Sequence, residues 1–240
     1  MARAVDGVDD NISTGATIWN TNVPMTFVCW VNGTYGNGLF GSAMMSLTTT
    51  ISNTFGNSND IIIGWENADN LIRFVKEAGT VDITFSTDSF LGSQWEFFVL
   101  TWDGTNTTTA VKIYRGYKGS FNEANYVQAT TGTAIGSTGR PFRLGVRGNL
   151  VDDFTGSFGP TLFYSGAVLP IHQIEQFMWY STNTFSLKSD IFWPFHGFSS
   201  PEYSLQKPGY SGTLNGTTKS LGNPPINGFF TIPTPQIVAF

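Results

Sequence analysis

An all-β fold, an antiparallel β-sandwich, is what this sequence predicts, and three observations carry the prediction. Apolar and polar residues alternate with a period of two through most of the chain, the spacing that gives a strand one buried face. The runs are short and separated by turn chemistry: Asn32-Gly33, Gly36-Asn37-Gly38, Asp103-Gly104, Lys118-Gly119 and Ser137-Thr138-Gly139. Only one stretch has helical spacing, so the repeated helices that a parallel α/β sheet requires are missing. Composition agrees. The 240 residues include 27 Gly, 21 Phe, 8 Tyr and 7 Trp, and only 12% are charged. So many aromatics argue for a packed core, because disordered chains are poor in them.

Taken in order, the strand candidates begin with Met25 to Val31, which is apolar on both faces, as in a strand buried between layers. Asp60 to Trp65 and Leu71 to Glu77 follow. Val81, Ile83 and Phe85 then alternate with Asp82, Thr84 and Ser86. Next come Trp95 to Trp102, Ala110 to Arg115, and Phe142, Leu144 and Val146 alternating with Arg143, Gly145 and Arg147. Ser157 to Ser165 closes the series. Val28, Trp30, Phe97, Val99, Leu144 and Leu162 are the expected sandwich core. Ile171, Ile174, Phe177 and Met178 fall at helical spacing, with Pro170 placed to open a short helix. Beyond Tyr180 the texture changes, and seven of the eleven prolines lie in 181–240. Proline cannot sit in a central strand. The expectation is a sandwich over 1–180 and a Pro-rich C-terminal extension over 181–240, completing the sandwich or contacting a neighbouring subunit.

Charge and cysteine content exclude several roles. A net charge of −5 gives no basic stripe for nucleic acid. No run approaches the 18 apolar residues of a membrane-spanning helix. Cys29 is the only cysteine, so it forms no internal disulfide, and inside an apolar run it reads as a buried small hydrophobe. Met1 to Asp6 lacks an apolar leader stretch.

Four segments together resemble the LamG-like jelly roll of the concanavalin A-like lectin/glucanase superfamily, as found in phage structural proteins. Ala4-Val5-Asp6-Gly7-Val8-Asp9-Asp10-Asn11-Ile12 is similar to the family's F-D-G-V-D-D-Y-I opening strand. Pro24 to Val31 resembles F-T-I-S-A-W-V. Trp95 to Thr105 with Val111 to Gly116 resembles the W-x-H-V-A-x-T-Y-D-G … V-x-L-Y-V-D-G hairpin. Phe154 to Leu169, with the helical turn after it, is similar to F-x-G-x-I-D-D-V-R-I-Y-N-R-A-L. Phe158-Gly159-Pro160 stands where the family has Asp-Asp, which removes a loop carboxylate pair. Glu202 to Gly216 is similar to D-x-S-G-N-G-N-x-G-T-L-x-G, a motif that precedes the opening strand in the family but lies at the C-terminal end here. The resemblance implies a concanavalin A-like jelly-roll sandwich, with this last motif reaching its place by a permuted route.

The chemistry of catalysis is not found. Glycoside hydrolysis needs two carboxylates flanking the scissile bond, commonly spaced Glu-x-Asp-x-x-Glu in this superfamily. None of the six glutamates has that spacing. His172 and His196 sit in no nucleophile motif, and Gly33 to Gly41 lacks the Lys-Ser/Thr ending of a phosphate loop. Asp9, Asp10, Asp152 and Asp153 are candidate calcium ligands, but structural or turn roles come first, and Asp9-Asp10 also reads as an exposed turn opening a strand. Trp19, Trp65, Tyr117 and Tyr126 lie in or near loops and are candidates for stacking on a glycan. Their alternative role is to staple loops onto the core. A composition rich in Gly, Thr, Asn and Phe but poor in Lys, a lone cysteine, no leader stretch and a Pro-rich tail make the expected function structural, with no catalytic site and no assigned cofactor: a capsid decoration or tail/fibre component of a phage particle. It would pack against other virion proteins and copies of itself in a trimer or lattice, after assembly in a host cytoplasm. The alternative is a carbohydrate-binding lectin module, extracellular and secreted or surface-attached.

Overall fold

A computed structural model describes residues 2–7, 10–19, 23–34, 42–47, 61–66, 71–76, 81–86, 94–105, 107–117, 120–124, 126–130, 140–146, 154–179, 189–195, 204, 210–220 and 224–225. Its strands, in chain order, are β1 (Arg3–Asp6), β2 (Asn11–Trp19), β3 (Met25–Thr34), β4 (Ser42–Leu47), β5 (Ile61–Glu66), β6 (Leu71–Lys76), β7 (Val81–Ser86) and β8 (Glu96–Trp102). After them come β9 (Val111–Tyr117), β10 (Ser120–Glu123), β11 (Tyr126–Thr130), β12 (Arg140–Leu144), β13 (Thr155–Ser165), the helix α1 (Ile171–Trp179), β14 (Ile191–Trp193), β15 (Gly212–Asn215) and β16 (Thr218–Lys219). One sheet runs β10-β9-β8-β3-β13-β1-β16, with β14 also paired to β13. The other runs β11-β7-β6-β5-β4-β12-β2-β15. All the pairings are antiparallel. Every strand expected from alternation is present.

The chain fills two cores from one sheet. Alternate residues of β3, β8 and β13 (Phe27, Cys29 and Val31; Phe98, Leu100 and Trp102; Phe158 and Phe163) meet Ile12, Phe74, Phe142 and Leu144 of the opposite sheet. The intervening residues (Val28 and Trp30; Phe97 and Val99; Leu162 and Tyr164) face away and pack under α1 with Ile174, Phe177, Met178 and Phe192. All six expected core residues are buried. Only Leu144, however, lies between the sheets. The other five belong to the outer layer, because the period of two sends every second residue of a doubly buried strand to the far side.

The route to α1 is fixed by hydrogen bonds. The Thr26 hydroxyl, fully buried on β3, donates to the Ala167 carbonyl at 3.1 Å and accepts from the Leu169 amide at 2.9 Å. The Pro170 carbonyl then accepts from the Gln173 and Ile174 amides to open the helix. Ile171, expected on the apolar face, is 44% exposed, since it precedes the turn that reaches the sheet. In β13 the register against β3 shifts between Phe158 and Thr161. The irregularity admits Pro160, which has no amide to donate to a ladder.

The resemblance reads 4–12 as one strand, and here the structure corrects it. Gly7, at φ 79°, turns the chain out of one sheet and into the other, so β1 and β2 belong to different layers. Across that turn the Asp6 amide donates to Asp10 Oδ2 at 3.0 Å. The first and last strands are neighbours in both sheets: Gly212–Asn215 pairs with Thr14–Asn11, and Thr218 and Lys219 pair with Ala4 and Arg3.

Candidate functional site

Of the eight residues singled out from sequence, the side chains of Asp10, Trp19 and Tyr117 are described, and they sit on different elements. Trp19 ends β2 fully buried, with its ring 5.9 Å from that of Trp102. A ring without exposed surface offers no face to a sugar, so Trp19 is a core residue and not a stacking platform. Its position beside turn residues imitated a loop. Asp10 is also buried, and its carboxylate closes the β1–β2 turn against Gly216, where a Cβ would collide with it. Asp9, Asp152 and Asp153 lie outside the described residues. Among the described residues no three His, Cys, Asp or Glu side chains gather as a metal site. Trp65 and Tyr126 sit on β5 and β11, and their side chains are outside the described part.

Tyr117 is the remaining candidate, and its surroundings are built. It ends β9, half-buried, and its hydroxyl donates to the side-chain carbonyl of the exposed Gln94. Phe97 pairs with Gly116, which brings the end of β9 alongside Glu96 at the start of β8. Glu96 is 2% exposed, on the same side of β8 as Phe98 and Leu100. Arg115, two residues from Ile113 on β9, donates to Glu96 Oε2 from Nε at 3.2 Å and again through a terminal guanidinium nitrogen. An unpaired carboxylate at this depth would cost several kcal/mol, and the bidentate guanidinium offsets that cost. Sequence reading missed this pair, because its members are 19 residues apart and only the β8–β9 register joins them.

Chemically, the described residues here include the Tyr117 ring, the Gln94 amide and a neutralised ion pair. The ring can stack, while the phenol and amide can exchange hydrogen bonds with hydroxyl groups. Glu96, committed to Arg115, is a structural carboxylate rather than a poised general acid. The lone thiol is not poised either, since burial of Cys29 raises its pKa well above the ordinary thiol value.

No family model matches the sequence, and no curated protein does. Solved structures do match. A Bacteroides ovatus protein with a proposed carbohydrate-binding role aligns over 95% of this chain at 15% identity, with a TM-score of 0.61. This chain spans 61% of that protein's length. A heptameric SAP-like pentraxin from Limulus polyphemus aligns over 73% of this chain and 80% of its own, at 11% identity and a TM-score of 0.47. The exoplasmic/lumenal domain of VIP36, in a calcium- and mannose-bound form, aligns over 70% of this chain and 78% of its own, at 12% identity and a TM-score of 0.38. With two antiparallel sheets and one short helix among the described residues, and a fold match of this extent to the Bacteroides ovatus protein, the chain has a jelly-roll β-sandwich fold of the concanavalin A-like type.

Proposed function

We propose that this chain is a non-catalytic glycan-binding module. The observation that carries the reading is the likeness, along 95% of the chain, to the Bacteroides ovatus protein with a proposed carbohydrate-binding role. Fold alone does not transfer function, so the reading also rests on a local feature. The half-buried ring of Tyr117, linked to exposed Gln94 beside a neutralised ion pair, suits hydroxyl-rich ligands better than ionic ones. The expectation of a virion role rested on composition, and these likenesses lend it no support. They favour the alternative, a lectin module.

The test is a glycan array followed by calorimetry on the strongest hit, with the native chain and Tyr117→Ala. The reading expects saturable binding that weakens at least tenfold in the variant. Unchanged affinity in Tyr117→Ala would move the site elsewhere, with Trp65 and Tyr126 the next positions to replace. Silence across the whole array would contradict a glycan ligand altogether.

A further inference from the structure

The edges of the two sheets are finished in different ways. β10 and β16 are short and carry Glu123 and Lys219. On β14 the Phe192 amide donates to the buried Ser204 hydroxyl at 3.1 Å instead of to another strand. Short, charged or capped edges are the usual devices that keep a sheet from templating a further strand. The outer edge of β2 has none of them. Its nine residues, Asn-Ile-Ser-Thr-Gly-Ala-Thr-Ile-Trp, contain no charge and no proline. β15 covers Asn11 to Thr14, and among the described residues nothing pairs with this edge from Gly15 to Trp19.

Packing explains why β15 stops there. Trp193 lies against Gly212, where a Cβ would stand 2.8 Å from Trp193 Cζ2, and the Trp193 indole donates to the Tyr210 carbonyl at 3.1 Å. These contacts draw the chain before Gly212 off the ladder and toward the core. The rest of the β2 edge is left open. Gly15 and Thr17 are exposed, and a Cβ on Gly15 would meet nothing within 4 Å. On its other side the same run is closed by β12, with Trp19 paired to Arg140 and Thr17 to Pro141. Since Gly15 and Thr17 are exposed in the single chain, a strand that covers this edge belongs to another molecule.

We propose that residues 15–19 of β2 form a strand-pairing surface for a second copy of this chain, the two β2 strands running antiparallel about a two-fold axis at Thr17. Charge and shape select this partner. A two-fold contact brings the central residue against its own copy, so a charge there would face itself. This run carries none. Centred on Thr17, the pairing sets Thr17 opposite Thr17, a favourable cross-strand pair, and Gly15 opposite Trp19. The edge is also stepped, because β15 stands one strand further out beside 11–14. The two-fold puts each copy's β15 past the Trp19 end of the other copy's run, so the steps interlock instead of colliding. Pairing over so short a run buries much less than the roughly 1,600 Å² of a standard interface, so the dimer forms and parts readily.

The experiment follows the full chain by sedimentation velocity and amide hydrogen exchange over a concentration series. The native chain should pass from monomer to dimer as concentration rises, and the amides of 15–19 should gain protection in step. Thr17→Lys sets two ammonium groups face to face at the axis, so association should weaken about tenfold or more. Its melting temperature should stay at the native value, because the position is exposed. Should Thr17→Lys fail to fold, Gly15→Lys carries the same expectation, since the added side chain meets open space. Gln128→Lys, on the uncharged β11 edge at the far end of the same sheet, should leave association unchanged. A chain that stays monomeric at every concentration would overturn the proposal. So would a dimer that survives both lysine variants on β2, or one whose formation leaves exchange at 15–19 unaltered. Loss of the dimer in Gln128→Lys alone would move the contact to β11 and overturn it as well.

Discussion

The two cores on either side of the β3–β8–β13 layer are built from alternate residues of the same strands, yet they are closed differently. Between the sheets, both walls are strands. Phe142 of β12 touches Phe27 at 5.9 Å, Phe163 at 5.2 Å and Trp193 at 5.4 Å, so one ring ties three strands of the opposite sheet. On the outer side one wall is the sheet, Phe192 of β14 included, and the other is a nine-residue helix. Phe177 of that helix meets Phe97 at 6.0 Å and Phe192 at 5.9 Å. The helix hydrogen-bonds mainly within itself, and a helix this short is marginal without its packing. The inner core therefore reports on the whole fold, and the outer core can open by itself.

The largest expected effect comes from removing 190–240. This takes away β14, β15 and β16, leaving β2, β1 and part of β13 each bare along one edge and Phe142 without Trp193. Aggregation is expected, visible as a void-volume peak in size exclusion, because bare edges and aromatic surface are exposed together. A soluble, folded truncation would show that the sandwich closes without its last strands.

Single substitutions sharpen the contrast. Phe142→Ala and Phe177→Ala each remove a buried ring and should each cost about 3–5 kcal/mol if their sites do not collapse. The distribution should differ. Phe142→Ala should lower amide protection in both sheets together. Phe177→Ala should lower it in α1 and the 166–169 segment first, and its cost should fall toward the lower end as the helix adjusts. Equal loss of protection everywhere in both variants would make the two cores one cooperative unit.

How much of this was legible follows from the same geometry. Met25 to Val31 showed its two apolar faces, and the spacing of Ile174, Phe177 and Met178 behind Pro170 showed the helix. Which face met which partner was not legible, because alternation gives a strand two sides without saying what covers each. β4 (Ser42–Leu47) escaped notice: Ser-Ala-Met-Met-Ser-Leu lacks both β-branched residues and alternation, and it is a strand because β5 and β12 flank it. The candidate site was read less well than the fold. Tyr117 was visible as an aromatic near a turn, but so was Trp19, and only long-range packing tells a half-buried ring from a fully buried one. Asp10 likewise looked like a surface carboxylate until Gly216, more than two hundred residues later, arrived against it.

A smaller effect appears in alkali. Burial and the nearby charge of Asp190 push the Tyr164 pKa from its usual 10.0 up to about 12. The folded state thus keeps a proton that the unfolded chain releases above pH ~10, so this contribution is intact below pH ~10 and fades as pH rises toward 12. Denaturant midpoints measured across that range should fall more steeply for the native chain than for Tyr164→Phe. Parallel slopes would remove Tyr164 from the list of alkali-sensitive contacts.

The proposed role is recognition of sugar without cleavage, with Glu96 held by Arg115. The most direct test incubates the strongest-binding oligosaccharide with excess protein and follows bound ligand and new reducing ends in the same sample. Saturable binding is expected, with reducing ends appearing no faster than in buffer alone. Turnover that disappears in Glu96→Gln, while binding persists, would contradict it.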